Sequence, residues 1–154
     1  MICLPEKEVP QKARHEILFS SRYKETAFLS NFYPCVINID GKTYASVEHY
    51  YQSQKTLDPT LSEWMRNAPS ALYVKKLTEV LRRKDVRTDW QEVKVGIMRR
   101  AIRAKFTQNE NLKKKLLDTG DAVLHEDVPD ELFWGMAGQD MLGKMLMELR
   151  EELR

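Results

Sequence analysis

The chain has 154 residues and a net charge of +2, with 42% hydrophobic and 31% charged residues. That mixture fits one compact domain and excludes disordered, collagen-like and low-complexity chains. No apolar run approaches the roughly 20 residues that span a bilayer, and MICLPEKEVP lacks a signal-peptide layout, so a cytoplasmic protein is expected.

Residues 1–14 are polar and read as a flexible segment ahead of one domain over 15–154. EILFS at 16–20 can form a short strand. In CVINIDGKTYAS at 35–46, Ile37 and Ile39 alternate with Val36, Asn38 and Asp40, and Asp40-Gly41 supplies a tight hairpin turn. Ser46 is a candidate N-cap for a helix over 47–57, ended by Pro59. A short helix around Leu61–Asn67 follows, then one from Pro69 to about Arg83 with Leu72, Leu77, Val80 and Leu81 partly inward. Thr88-x-x-Gln91 reads as a capping box opening a helix near 89–106, whose inner stripe is Trp90, Val93, Ile97, Met98, Ala101 and Phe106. Asn109–Asp118 is a short helix closed by Gly120, 121–125 a strand, and 141–152 a closing helix carrying Leu142, Met145, Leu146 and Leu149. These elements predict a helix-rich α+β single domain with a small β-sheet. The seven methionines read mostly as core filler.

Charge is uneven along the chain. Residues 75–105 carry a net +7 and residues 106–154 a net −5. A basic middle can draw phosphate or nucleic acid, but it is more often the solvated face of helices. Cys3 and Cys35 make neither a disulfide framework nor a Cys-x-x-Cys pair, and His15, His49 and His125 lack metal-ligand spacing, so no metal is expected.

One constellation stands out on the 47–57 helix. At about 100° per residue, Glu48, Gln52 and Lys55 share a narrow sector with Tyr51 beside them. A carboxylate and an amine at i and i+7 stand roughly 10 Å apart along the axis, leaving room for a small molecule between them. Glu48 can move a proton; Lys55 can stabilise charge or attack an electrophilic carbon. The macrodipole alone also favours Glu early and Lys late in a helix. Trp90 can stack on a heteroaromatic ring or simply fill the core. The glycines after Trp134 can present backbone amides to a phosphate or serve ordinary turns.

Taken together, FLSNFYP at 28–34, DGKTYASVEHYYQSQK at 40–55, W-x-x-V-K with M-x-x-A-x-x-A-K-F across 90–106, and FWG…LGKMLMELR at 133–150 resemble the NADAR superfamily and its YbiA-like N-glycosidases. The resemblance implies a YbiA-like fold and hydrolysis of the C1′–N bond between ribose and a base, with no cofactor. The implied substrates are ribosylamino-pyrimidine phosphates of the riboflavin pathway or ADP-ribosylated guanine in DNA. The family's glutamate falls on Glu48, its lysine (the Schiff-base former) on Lys55, its tryptophan on Trp90 and its acidic residue on Glu131, beside Asp130. Asn31, Phe32, Tyr51, Gln52 and Trp134 fall in the implied substrate-binding set, as do Gly135, Gly138, Asp140 and Gly143 of the glycine-bearing loop.

Two departures bear on the substrate. The loop is shortened to WGMAGQDMLG, with Asp140 where the family has Asn, and Glu131 stands where Asp is commoner. An added anion weakens phosphate binding unless a cation such as Lys144 compensates. Two other readings remain: a non-catalytic ADP-ribose or nucleotide-binding module, and a helical interaction domain without a ligand.

Overall fold

The structure, a computed structural model, describes residues 15–154; the expected flexible segment 1–14 and Cys3 lie outside the described residues. Among the described residues there are four short strands: β1 (Glu16–Phe19), β2 (Ile37–Ile39), β3 (Lys42–Tyr44) and β4 (Val123–Glu126). β2 and β3 form the expected hairpin, with Asp40 and Gly41 at φ of 53° and 78° in its turn. Ile37 and Ile39 are buried while Asn38 faces out. β1 pairs in parallel with β4, from Glu16 opposite Val123 to Phe19 opposite Glu126. The expected sheet is therefore two separate two-stranded sheets. A parallel pair needs a long crossover, and most of the helices lie within it.

The described residues also form six α-helices, in chain order α1 (Val47–Ser53), α2 (Pro59–Arg66), α3 (Ala71–Glu79), α4 (Trp90–Gln108), α5 (Glu110–Asp118) and α6 (Met141–Leu153). Ser46 caps α1, its Oγ accepting from His49 N at 3.2 Å. α1 stops at Ser53, short of the expected Leu57, which is left exposed. Pro59 opens α2 instead of ending α1, and Asp58 caps it by accepting from Thr60 N at 2.9 Å. Ser70 caps α3, so the helix begins after Pro69; Ala71 and Val74 face inward, while Leu72 and Val80 are exposed. The Thr88–Gln91 capping box does not form. Asp89 precedes Trp90, and its carboxylate binds Arg87 through two bonds of 2.6 and 2.9 Å.

α4 spans the molecule, packing on α1, α5 and β2, while α6 lies over β4. Phe19, Val47, Ile102, Phe106, Leu124 and Leu146 are among the fully buried side chains between them. Each such side chain contributes about 1.5–3 kcal/mol of burial. Met65, Met98 and Met145 are core, whereas Met136 is exposed. Much of the basic middle is paired with acids: Arg99 and Arg103 with Glu148 and Glu152 of α6, Arg100 with Asp40. No described helix is long and apolar enough to cross a membrane.

α1 is the unusual element. Every residue from Val47 to Ser53 is buried although four of the seven are polar. His49 shows how such a helix is tolerated: Nε2 donates to Ala68 O at 2.9 Å and Nδ1 accepts from Ser46 Oγ at 2.7 Å. Glu48 and Gln52 have no comparable full set of partners. They face a cleft.

Candidate active site

The cleft, about 870 Å³, opens beyond the carboxyl ends of β1 and β4. Segments 20–23 and 126–131, which continue those strands, form one wall; α1 and α3 supply the others. Ends of parallel strands favour ligand sites because the chain must diverge there into loops.

Glu48 sits at the first turn of α1, 6% exposed. Its amide donates to Asn31 O at 3.1 Å, which ties α1 to the FLSNFYP segment. Gln52 Nε2 donates to Glu48 Oε1 at 2.6 Å. Burial pushes the Glu48 carboxyl up to about 7, against the Gln52 bond and with some help from the Glu131 charge. Near neutrality both protonation states of Glu48 are therefore populated, as a proton-transfer group requires.

Lys55 is not on the helix. It lies in the turn after α1, where its amide donates to Gln52 O at 3.1 Å and its carbonyl accepts from Arg87 N at 2.7 Å. The i, i+7 geometry expected from one continuous helix is thus replaced by a turn, yet Lys55 lines the same cleft as Glu48. Its Nζ stands 5.9 Å from the Tyr51 ring centroid and 5.7 Å from that of Trp90. Burial draws the Lys55 ammonium below its usual range, while the charges of Glu48 and Glu131 oppose that shift. A lysine held against aromatic faces with a depressed pKa has more of the neutral amine available for attack.

The aromatic side chains are layered. Tyr51 contacts Trp90 (centroids 5.0 Å, planes at 56°) and Trp134 (5.7 Å, 90°), and Trp134 Nε1 donates to the Tyr51 hydroxyl at 3.2 Å. Tyr51 and Trp134 line the cleft together with Asn31, Phe32 and Gln52. Trp90 is not among the lining residues; it stands behind Tyr51 and beside Lys55. Burial holds the Tyr51 phenol well above its usual range, so it stays neutral.

Glu131 and Asp130 also line the cleft, Glu131 pairing with Lys75 of α3 at 3.3 Å. The glycine-bearing loop is elsewhere. Gly135, Gly138, Asp140 and Gly143 are not among the lining residues. The amides of Gly135, Met136, Gly138, Gln139, Asp140, Met141 and Leu142 all donate to backbone carbonyls, so most of the loop's amides are already committed. The glycines instead permit close backbone packing. A Cβ on Gly138 would come within 1.8 Å of Leu132 O, and one on Gly143 within 2.0 Å of Leu124 O. Asp140 takes a left-handed conformation (φ 54°) and binds His125 Nδ1 at 2.5 Å. Lys144 donates to Gln139 O rather than offsetting Asp140.

Sequence reasoning missed Glu126. It ends β4, lines the cleft, is 8% exposed, and its Oε2 has no hydrogen-bond partner. Burial, reinforced by the charges of Glu131 and Glu48, pushes its carboxyl up to about 8. The signal was there: Leu124 and Glu126 share the buried face of a strand that alternates inward and outward. Lys75, from the basic middle of the chain, and Arg22, which the sequence does not single out, also line the cleft.

Comparison with known proteins bears on the family and the fold. Residues 18–154 match the NADAR domain family model. N-glycosidase YbiA of Escherichia coli (strain K12) is 39% identical over 141 residues, covering 89% of this chain and 88% of YbiA. A riboflavin biosynthesis protein of Vibrio vulnificus is 39% identical over 142 residues, 90% of this chain, and the chain spans 38% of that protein's length. The NMR structure of E. coli YbiA matches with a TM-score of 0.81 at 38% identity, covering 93% of this chain and 90% of YbiA. The chain belongs to the NADAR domain family.

Proposed function

We propose that this chain is a NADAR-family N-glycosidase that hydrolyses the C1′–N bond between ribose and a nucleobase-like group. Its first substrate class is ribosylamino-pyrimidine phosphates of the riboflavin pathway; its second is ADP-ribosylated guanine, free or in DNA. The observation that carries the reading is the opening of Glu48 and Lys55 onto one cleft, each shifted by burial toward the pH range in which protons move. The E. coli relative, of which the chain covers 88%, is itself named an N-glycosidase. The Vibrio relative's name supports the first substrate class. Arg22 and Lys75 are cations on the cleft wall that suit the substrate's phosphate, since most of the loop amides are committed and the loop glycines do not line the cleft.

In this mechanism the neutral Lys55 Nζ attacks C1′. The C1′–N bond breaks, its electron pair leaves on the base nitrogen, and that nitrogen gains a proton. Nζ loses a proton to the Glu48 carboxylate, and sugar-ring opening gives a Schiff base. Water then adds to C1′, Glu48 returns its proton to Nζ, and the C1′–Nζ bond breaks to release ribose. Positioning Lys55 and Glu48 on one cleft removes the entropic cost of gathering the reacting groups. Tyr51 and Trp134 offer stacking surface to the base, an interaction of about 1–3 kcal/mol.

The test is mass spectrometry of products from a ribosylamino-pyrimidine phosphate and from ADP-ribosylated guanosine. Release of free base supports the reading. A protein that shifts in melting temperature with either compound but releases no base is a binding module instead.

A further inference from the structure

Cleavage by Lys55 and Glu48 leaves the proton that reaches the departing base without a donor. The base nitrogen leaves with an electron pair and needs an acid aimed at it. Glu48 is committed to the lysine nitrogen, and Glu131 is held by the Lys75 ammonium at 3.3 Å. Tyr51 already accepts from Trp134 Nε1 and lies among aromatic rings. One further acid on the cleft wall is buried, with a carboxyl oxygen that no hydrogen bond satisfies.

We propose that Glu126 is the general acid that protonates the leaving base. Its side chain reaches the cleft from the last residue of β4, with Oε2 buried and unpartnered. A buried carboxyl oxygen without a partner is costly unless the ligand completes it or it carries a proton. Its neighbours favour the protonated form. Glu131 and Asp140 on the following loop and Glu48 on α1 all raise its pKa, and Lys75 on α3 is the cation that opposes them. Glu131 is paired with Lys75 and Asp140 with His125, while burial and these neighbours favour the neutral form of Glu126 near pH 7. The backbone holds the group in place: Glu126 N donates to Asp140 Oδ1 at 3.4 Å, and Glu126 O accepts from Met136 N at 2.8 Å. These contacts give the Asp140 loop a role in supporting the acid, in place of the phosphate cradle expected of it.

The step balances. The C1′–N bond breaks as Nζ–C1′ forms, the carboxyl proton passes from Glu126 to the base nitrogen, and Glu126 is left as carboxylate. The incoming water gives its hydroxyl to C1′ and its proton to Glu126, which restores the acid.

This assignment rests on the N-glycosidase reading, and the test separates the two. Wild type, Glu126→Gln and Glu126→Asp are assayed from pH 5 to 10 with a ribosylamino-pyrimidine phosphate, and melting temperatures are recorded alongside. The expected result is a kcat for Glu126→Gln lowered about 10²-fold or more with KM little changed. The wild-type fall in kcat centred near pH 8 is expected to vanish in Glu126→Gln and to persist, at lower amplitude, in Glu126→Asp. If wild type releases base and Glu126→Gln keeps both its kcat and its alkaline fall, this assignment is overturned while the N-glycosidase reading stands. If wild type releases no base, both fall together. If Glu126→Gln does not fold, Glu126→Asp decides: unchanged kcat in that variant also overturns the assignment.

Discussion

Gln52 Nε2 donates to Glu48 Oε1 across 2.6 Å, one helical turn apart within α1, while Gln52 Oε1 is left without a partner. The same helix buries all seven of its residues. A carboxyl pinned on one side and open to a cleft on the other keeps its orientation while its proton exchanges. That arrangement costs stability, and the cost is measurable.

Glu48→Gln is expected to lower turnover by about 10²–10⁴-fold and to stabilise the fold at alkaline pH. The sign follows from the shift of Glu48 from 4.5 to about 7. The native state holds this proton where the unfolded chain has lost it, so the contribution is fully present below 4.5 and is lost as pH rises to about 7. Gln carries no such penalty, so the variant is expected to be more stable at pH 8 by on the order of 3 kcal/mol. Denaturant titrations at pH 4 and pH 8 read the difference; equal stability differences at both would show that Glu48 is not a strained buried acid.

Trp90 acts from behind the cleft wall. Its ring supports Tyr51 at 5.0 Å and faces Lys55 Nζ at 5.7 Å. Trp90→Ala is expected to cost about 3–5 kcal/mol as a buried aromatic truncation. Trp90→Phe keeps an aromatic face and is expected to retain the fold, with a loss in kcat exceeding any rise in KM. A change in KM alone would place Trp90 against the substrate instead. Steady-state kinetics of the purified Phe variant distinguish the two.

Gly138→Ala is expected to be strongly destabilising because its Cβ would sit 1.8 Å from Leu132 O, with other backbone atoms close behind. Gly96→Ala is the control. Gly96 is exposed within α4, and a methyl group added there would meet nothing within 4 Å, so alanine is expected to stabilise by about 0.5–1 kcal/mol. Thermal melts of the two variants check the packing role of the loop; a tolerated Gly138→Ala would reopen a ligand role for that segment.

The parts of the fold legible in the sequence were those with local causes. Asp40-Gly41 demanded a turn, Ser46 a cap, and the Leu142–Leu149 spacing an inward helix face. The end of α1 had no such cause. Nothing between Ser53 and Pro59 forbids another turn, so Lys55 was placed on a helix when it stands in the turn after one. The site followed the same rule. Glu48, Tyr51 and Gln52 share a helix face that periodicity reveals, whereas Glu126 reaches the cleft only because β4 pairs with β1, from the opposite end of the chain. Glycine is equally ambiguous, since a phosphate cradle and a close backbone contact ask for the same residue. Lys105 shows the limit of charge as a guide. It is 1% exposed and donates to Ser30 O at 2.8 Å, just before the Asn31 carbonyl that anchors Glu48.

Lys55 as a nucleophile is the claim with the most direct readout. Wild type and Lys55→Arg are incubated with a ribosylamino-pyrimidine phosphate and borohydride, digested, and mapped by mass spectrometry. The expected result is a reduced ribosyl-phosphate adduct on the peptide carrying Lys55, absent from Lys55→Arg, which keeps the charge but not the neutral amine. An adduct on another lysine, or base release in wild type with no adduct at all, would contradict it.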